Sequence, residues 1–201
     1  MPEPVGHYFE TEPSVPSRPA TVRLDLPDRS LTLATDRGVF AAGGVDPGTK
    51  YLLLEAPAPP PTGTFVDLGC GYGPIACTLA LRAPAATVWA VDVNQRALDL
   101  CRTNAAAVGA TNVRIALASE VSDDLAVDLL WSNPPIRIGK PALHLLLQTW
   151  LARLTPTGTA VIVVQKHLGA DSLQRWLETE GFDAERLGSR TGYRLLQVTR
   201  P

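Results

Sequence analysis

Thr64-Phe65-Val66-Asp67-Leu68-Gly69-Cys70-Gly71-Tyr72-Gly73-Pro74 decides the fold. A short apolar strand runs straight into three alternating glycines, and a proline then opens a helix at a position where its missing N–H costs nothing. Glycines at that junction let the chain turn tightly and let a ligand approach the backbone. The next apolar strand, Val88-Trp89-Ala90-Val91, ends on Asp92, about 20 residues beyond the loop. That is the spacing at which an acid grips ribose hydroxyls in a nucleotide-binding α/β unit.

Working outward, strands at 64–68, 86–91, 112–117, 126–131 and 158–165 alternate with helices at 74–82, 95–108, 140–153 and 170–180. Such alternation predicts a mostly parallel sheet covered on both faces. Strands near 182–187 and 192–199, joined by a Gly188–Thr191 turn, complete seven strands, and their hairpin forces one of them to run antiparallel. Asn94 suits the cap of the second helix and Gly109 its end. The expected fold is therefore α/β and Rossmann-like. Residues 62–201 form the main unit, and residues 1–61 an extension packed on it. Within that extension, Val22, Leu24 and Leu26 alternate with polar residues, as do Leu31 and Leu33, which predicts a β-hairpin around Pro27-Asp28-Arg29. A short helix near 49–56 follows Asp46-Pro47-Gly48-Thr49 and stops at Ala58-Pro59-Pro60-Pro61. The proline-rich first 20 residues read as an arm pinned by His7, Tyr8 and Phe9.

Composition narrows the function classes. The chain has 201 residues, 45% of them hydrophobic, and a net charge of −2. It is not a globally basic nucleic-acid binder, although a local basic patch remains open. No apolar run is long enough to span a bilayer and the N-terminus lacks a secretory pattern, so a cytoplasmic protein is expected. Cys70, Cys77 and Cys101 are odd in number and spaced for neither a disulfide framework nor a metal site; they read as small buried residues, and no metal is expected.

The loop discriminates between cofactors. A dinucleotide fold wants G-x-G-x-x-G, with pyrophosphate on the helix N-terminus. Here the third glycine comes one residue early and Pro74 takes its place. The G-x-G-x-G form, preceded by Asp67, suits S-adenosylmethionine (SAM), which carries no phosphate but has a positive amino group and sulfonium. Ala118-Ser119-Glu120 follows the third strand, where a group near the adenine amine is expected; no aspartate stands there, so Ser119 or backbone groups take that role.

The fourth strand ends in Ser132-Asn133-Pro134-Pro135-Ile136, which should face the glycine loop across the sheet. An exocyclic amine is a poor nucleophile because its lone pair is delocalised into the adjoining π-system. Two acceptors that bind its hydrogens free that lone pair, and the Asn133 side-chain oxygen and Pro134 carbonyl can be those acceptors. Proline fixes φ and removes a competing donor.

These residues carry a family resemblance. F-V-D-L-G-C-G-Y-G, V-D-V-N and S-N-P-P-I-R-I-G-K resemble class I SAM-dependent methyltransferases. More narrowly, Asp36-Arg37-Gly38-Val39-Phe40 with Val45–Thr49 resembles the small methyltransferase domain of bacterial ribosomal RNA guanine-N2 methyltransferases acting on the small subunit. The resemblance runs from His7-Tyr8-Phe9 to Gly192-Tyr193. It implies SAM binding at Asp67, Gly69, Gly71 and Asp92, with SAM converted to S-adenosylhomocysteine; Cys70, Gly73, Val93, Ser119 and Asn133 are expected to complete the cofactor set. It implies catalytic roles for Asn133, Pro134, Pro135 and Ile136, and RNA or the small ribosomal subunit as partner of a monomeric enzyme. Two departures stand out. The chain is too short for the degenerate N-terminal copy common in that family, and Ile136 replaces an aromatic that stacks on the target base. Arg137, Lys140, Lys166, His167 and Arg190, with Arg186 and Arg194 nearby, gather positive charge at one rim and are the expected RNA contacts. Adenine or a protein glutamine amide remains an alternative acceptor, and a non-catalytic SAM- or RNA-binding module an alternative role.

Overall fold

The computed structural model describes residues 14–200. The arm residues His7, Tyr8, Phe9 and Pro13 lie outside the described residues. The chain begins with an antiparallel pair, β1 (Ala20–Leu26) and β2 (Arg29–Thr35). Val22, Leu24, Leu26, Leu31 and Leu33 are buried, so the alternation in sequence becomes one apolar face. The turn is tighter than expected, since Arg29 already pairs with Leu26. Helix α1 (Pro47–Glu55) starts two residues earlier than its apolar pattern suggests. Asp46 caps it, accepting a hydrogen bond from the Thr49 N–H at 3.0 Å, and Pro47 fills the first turn.

The main sheet has seven strands. These are β3 (Thr64–Leu68), β4 (Thr87–Asp92), β5 (Val113–Leu117), β6 (Val127–Ser132), β7 (Leu154–Gln165), β8 (Asp183–Arg190) and β9 (Tyr193–Thr199). Their order across the sheet is β5-β4-β3-β6-β7-β9-β8. All pairings are parallel except those of β9, which runs antiparallel to both β7 and β8. The last hairpin differs from expectation. Its turn is Thr191-Gly192, both at positive φ (46° and 85°), and Gly188 lies within β8 beside a register shift. A two-residue turn with positive φ at both positions matches the twist of the strands it joins, so both strands run on to meet it. Strand β7 also begins earlier than expected, because Leu154 pairs with Val127 across a register irregularity.

Period-two alternation splits the core into two layers. Phe65, Val88, Ala90, Leu129, Trp131, Val161 and Val163 point to one face. There they meet α1, the β1–β2 hairpin, α2 (Pro74–Arg82) and α3 (Gln95–Ala107). Val66, Leu68, Leu130, Ala160, Ile162 and Val164 point to the other, against α4 (Lys140–Leu151) and α5 (Ala170–Thr179). No helix among the described residues is long and apolar enough to cross a membrane.

Two buried polar residues tie these layers to the glycine loop. Asn104 of α3 is 1% exposed. Its Oδ1 accepts from the Ala34 N–H at 2.7 Å, and its Nδ2 donates to the carbonyls of Ala34 and Tyr72, both at 2.8 Å. Asp67 lies on the α2 side of β3, fully buried; its Oδ2 accepts from the Ala76 N–H at 2.8 Å, while Oδ1 has no partner among the described residues. Burial with a single donor raises its carboxyl from the ordinary 3.8 to about 8, the nearby Asp92 adding to the effect.

Asn104→Ala is expected to cost about 2–4 kcal/mol in urea unfolding, because it strands buried backbone groups on both the hairpin and the loop. Asp67 generates a pH signature. Its folded-state pKa lies above its unfolded value, so the native state holds a proton that the unfolded state releases. Stability from this group is fully present below about pH 4 and is lost as pH rises to about 8. Relative to Asp67→Asn, the wild type should lose up to about 1.4 kcal/mol per pH unit across that window. Parallel stability profiles for the two proteins would mean that the carboxyl is not protonated in the fold.

Candidate active site

The sheet reverses direction of growth between β3 and β6, and the loops after these two strands open on the same edge. Leu68 pairs with Ser132, so Gly69 and Asn133 leave the sheet side by side, and the Ser132 hydroxyl donates to the Leu68 carbonyl at 2.7 Å. The glycine loop is stitched to its other neighbour. The N–H groups of Gly69 and Cys70 donate to the Val91 carbonyl at 2.8 and 3.0 Å, and the Gly71 N–H donates to Asp92 Oδ2 at 2.9 Å. Gly69, Gly71 and Gly73 all have positive φ (76°, 54°, 90°), the conformations that the sequence pattern requires. A side chain at Gly73 would also strike Cys101, whose Sγ lies 2.6 Å from the place a Cβ would take.

A cavity of about 650 Å³ fills the angle between the two loops. Gly69, Gly71, Asp92, Val93, Asn133, Pro134, Pro135, Ile136 and Arg137 all line it. Cys70 lines a narrow adjoining bay with Tyr72, Asp46 and Thr49. Asp92 accepts from three backbone N–H groups, those of Gly71, Val93 and Asn94. Burial pushes its carboxyl up and these donors pull it back. Asp67 is not on the cavity wall. It sits beneath the loop and holds the start of α2, because its position in β3 faces that helix. Ser119 is exposed in a single helical turn after β5, and the neighbouring Ala118 supplies the wall instead. The three cysteines are buried and free, and burial raises the Cys70 and Cys77 thiols.

The Asn133 motif is more constrained than its sequence suggests. Pro135 has φ −74° and ψ 75°, and the Ile136 N–H donates to the Pro134 carbonyl at 2.8 Å. This inverse γ-turn fixes the Pro134 carbonyl and leaves it one free lone pair. Asn133 Nδ2 donates to Asp46 Oδ1 at 2.8 Å and to Thr49 Oγ1 at 3.0 Å. With the nitrogen held by two acceptors, the amide can have only one orientation, and Oδ1 is the atom left for a ligand. Sequence reading missed Asp46 and Thr49 as site residues. Their signal was the D-P-x-T start of α1, which marks a helix cap but not what lies against it. It also missed Phe40 and Tyr193, two aromatics on the cavity wall that bring π-surfaces where Ile136 has none.

The basic rim is thinner than expected. Arg137, Lys140, Lys166 and His167 lie at the surface and form no ion pair among the described residues. Arg190 is held by Glu55 at 3.3 Å. Arg186 pairs with Asp171 at 3.0 Å, and Arg194 is buried against the same carboxylate, so neither adds free charge to the rim. Only Arg137 of these residues reaches the cavity wall. A separate groove of about 500 Å³ along β8 is lined by Glu178, Asp183 and Glu185, a wall that repels phosphate.

The site fits SAM. Side-chain-free backbone at the loop gives close approach, Asp92 stands at the end of β4, and Val93, Ala97, Ala118, Ile136 and Leu146 offer an apolar slot. A family model described as the methyltransferase small domain matches residues 30–197. The chain is 34% identical over 195 residues to the uncharacterized protein YbxB of Bacillus subtilis (strain 168), covering 96% of this chain and 97% of that protein. It is 34% identical over 147 residues to ribosomal RNA small subunit methyltransferase C of Aeromonas hydrophila, covering 70% of this chain but 42% of that protein. Among solved structures, the T. thermophilus 16S rRNA N2 G1207 methyltransferase (RsmC) in complex with AdoMet and guanosine is similar with a TM-score of 0.79 and 22% identity, over 94% of this chain and 52% of that one. That likeness concerns the fold, and the chain spans about half the length of these ribosomal RNA enzymes or less. The glycine loop, the strand order and the Asn-Pro-Pro exit thus agree with the match over most of the sequence: the chain belongs to the methyltransferase small domain family, as a SAM-dependent methyltransferase.

Proposed function

We propose that the protein methylates the exocyclic N2 amine of a guanine in ribosomal RNA. The observation that carries the reading is the Asn133 amide, whose nitrogen is tied to Asp46 and Thr49, which leaves its oxygen as the atom for a ligand in a cavity that Pro134 also lines. Support for the RNA comes from relatives named as ribosomal RNA methyltransferases and from the exposed cations Arg137, on the cavity wall, and Lys140 and Lys166, in the segments after β6 and β7.

Bound in the cavity, SAM supplies an electrophilic methyl carbon. Gly69, Gly71 and Asp92 would hold and orient it against the largely apolar wall of the cavity. Asn133 Oδ1 and the Pro134 carbonyl accept the two amine hydrogens and draw the nitrogen toward a tetrahedral shape. Both acceptors are held before substrate arrives, so little reorganisation is needed as positive charge develops on nitrogen. No residue is required to take a proton before attack; one leaves to water once the nitrogen is cationic.

The direct test is transfer of labelled methyl from SAM to total RNA, naked ribosomal subunits and protein, followed by nucleoside analysis. Label in N2-methylguanosine is the expected result; label in N6-methyladenosine or methylglutamine would replace the reading with one of those acceptors. Asn133→Ala should lower kcat by about 10²–10³ with SAM affinity unchanged, as expected for a lost transition-state hydrogen bond. Undiminished turnover would remove Asn133 from the chemistry. Lys140→Glu combined with Lys166→Glu should weaken RNA binding and reduce the slope of log K against log salt by about 1.4, for two lost single-strand phosphate contacts. An unchanged slope would locate the RNA elsewhere.

A further inference from the structure

Asn133 and Pro134 explain how an amine is held but not which amine. Guanine, adenine, cytosine and a glutamine side chain all present an sp² NH₂ group, and two acceptors receive each of them equally well. What separates them is the neighbouring atom. On the Watson–Crick edge, the guanine N2 amine stands beside N1–H, a donor. The adenine N6 amine stands beside N1, the cytosine N4 amine beside N3, and the glutamine amide nitrogen beside its own carbonyl. All three of those neighbours are acceptors.

Asp46 stands beside Asn133 on the wall of the same cavity. Its Oδ1 receives both Asn133 Nδ2 at 2.8 Å and the Thr49 N–H at 3.0 Å, so the carboxylate is held one hydrogen bond from the Asn133 amide. Asp46 lines the main cavity as well as the bay. Its Oδ2 has no hydrogen-bond partner among the described residues. Gly48 lies against the Tyr193 ring, and a Cβ there would sit 2.6 Å from Cε1, so the start of α1 is wedged in place and cannot swing its cap away. A fixed acceptor beside an amine-binding site attracts a donor and repels a lone pair, which is discrimination by both attraction and repulsion.

We propose that Asp46 is the specificity-determining residue of this site, its free carboxylate oxygen accepting N1–H of guanine and excluding amines whose neighbour is an acceptor. The proposal rests on the guanine reading above and adds the residue that selects the base. Asp46→Asn is the informative variant. The new amide keeps an oxygen to cap α1 and to receive Asn133, while the oxygen without a hydrogen-bond partner among the described residues becomes an NH₂ donor.

The probe is the short RNA carrying the nucleotide labelled in the transfer assay, made with guanine or with 2-aminopurine at that position. 2-Aminopurine keeps the 2-amine but has a bare N1 acceptor. The wild type should prefer guanine by about 10–100-fold in kcat/KM, the scale of one charge-assisted hydrogen bond. In Asp46→Asn the preference should fall below about 3-fold or invert. If the variant loses activity on both RNAs in the same proportion, Asp46 only positions Asn133 and the proposal fails. It fails equally if the wild type does not distinguish the two RNAs. Transfer by the wild type to adenine or glutamine, with none to guanine, instead overturns the proposed function and takes this inference with it.

Discussion

The structure depends on the parallel pairing of β3 with β6. That pairing sets Leu68 beside Ser132 and so delivers two loops of unrelated composition to one edge of the sheet. The first loop is glycine-rich, and hydrogen bonds to Val91 and Asp92 of the next strand hold it open. The second is a γ-turn built on two prolines. Neither loop forms a site alone. A cavity exists because parallel strands end together and their connections must diverge, one to α2 and the other toward α4.

The N-terminal extension then completes what the sheet leaves unfinished. Helix α1 packs against β7 and β9, with Gly48 tight on Tyr193 and Tyr51 close to Gly188. That packing carries the α1 cap to Asn133. Asp46 therefore does two things with one oxygen: it terminates the helix and it orients the amide. An amide side chain with both ends free would present nitrogen or oxygen equally well. Here the choice is made by a carboxylate and a hydroxyl, both of which accept from the nitrogen.

Charge is distributed unevenly around this edge. Burial raises the Asp67 carboxyl to about 8, whereas at Asp92 the same effect is opposed by three backbone donors. Arg137, Lys140 and Lys166 form no ion pair among the described residues, while Arg186, Arg190 and Arg194 are matched by acids on neighbouring elements. An RNA approaching the cavity would meet the loops after β6 and β7 as its positive surface. The acidic groove along β8 is unsuited to that role.

Much of this was legible in the residues alone. Alternation of strands with helices, the spacing from the glycine loop to Asp92, and the Asn133-Pro134-Pro135 exit are local patterns, and local patterns survive in a linear string. They determined the fold class and the cofactor class, and they pointed to an amine as the acceptor. Tertiary structure decided the rest. Asp46 and Asn133 are separated by 87 positions, and only the docking of α1 brings them within hydrogen-bond reach. Tyr193 joins the cavity because β9 inserts antiparallel beside β7, and Asp67 leaves it because its strand position faces α2. Partners chosen by packing leave no periodic trace in sequence, so the orientation of Asn133 and the surroundings of its oxygen could be read only once the chain was folded.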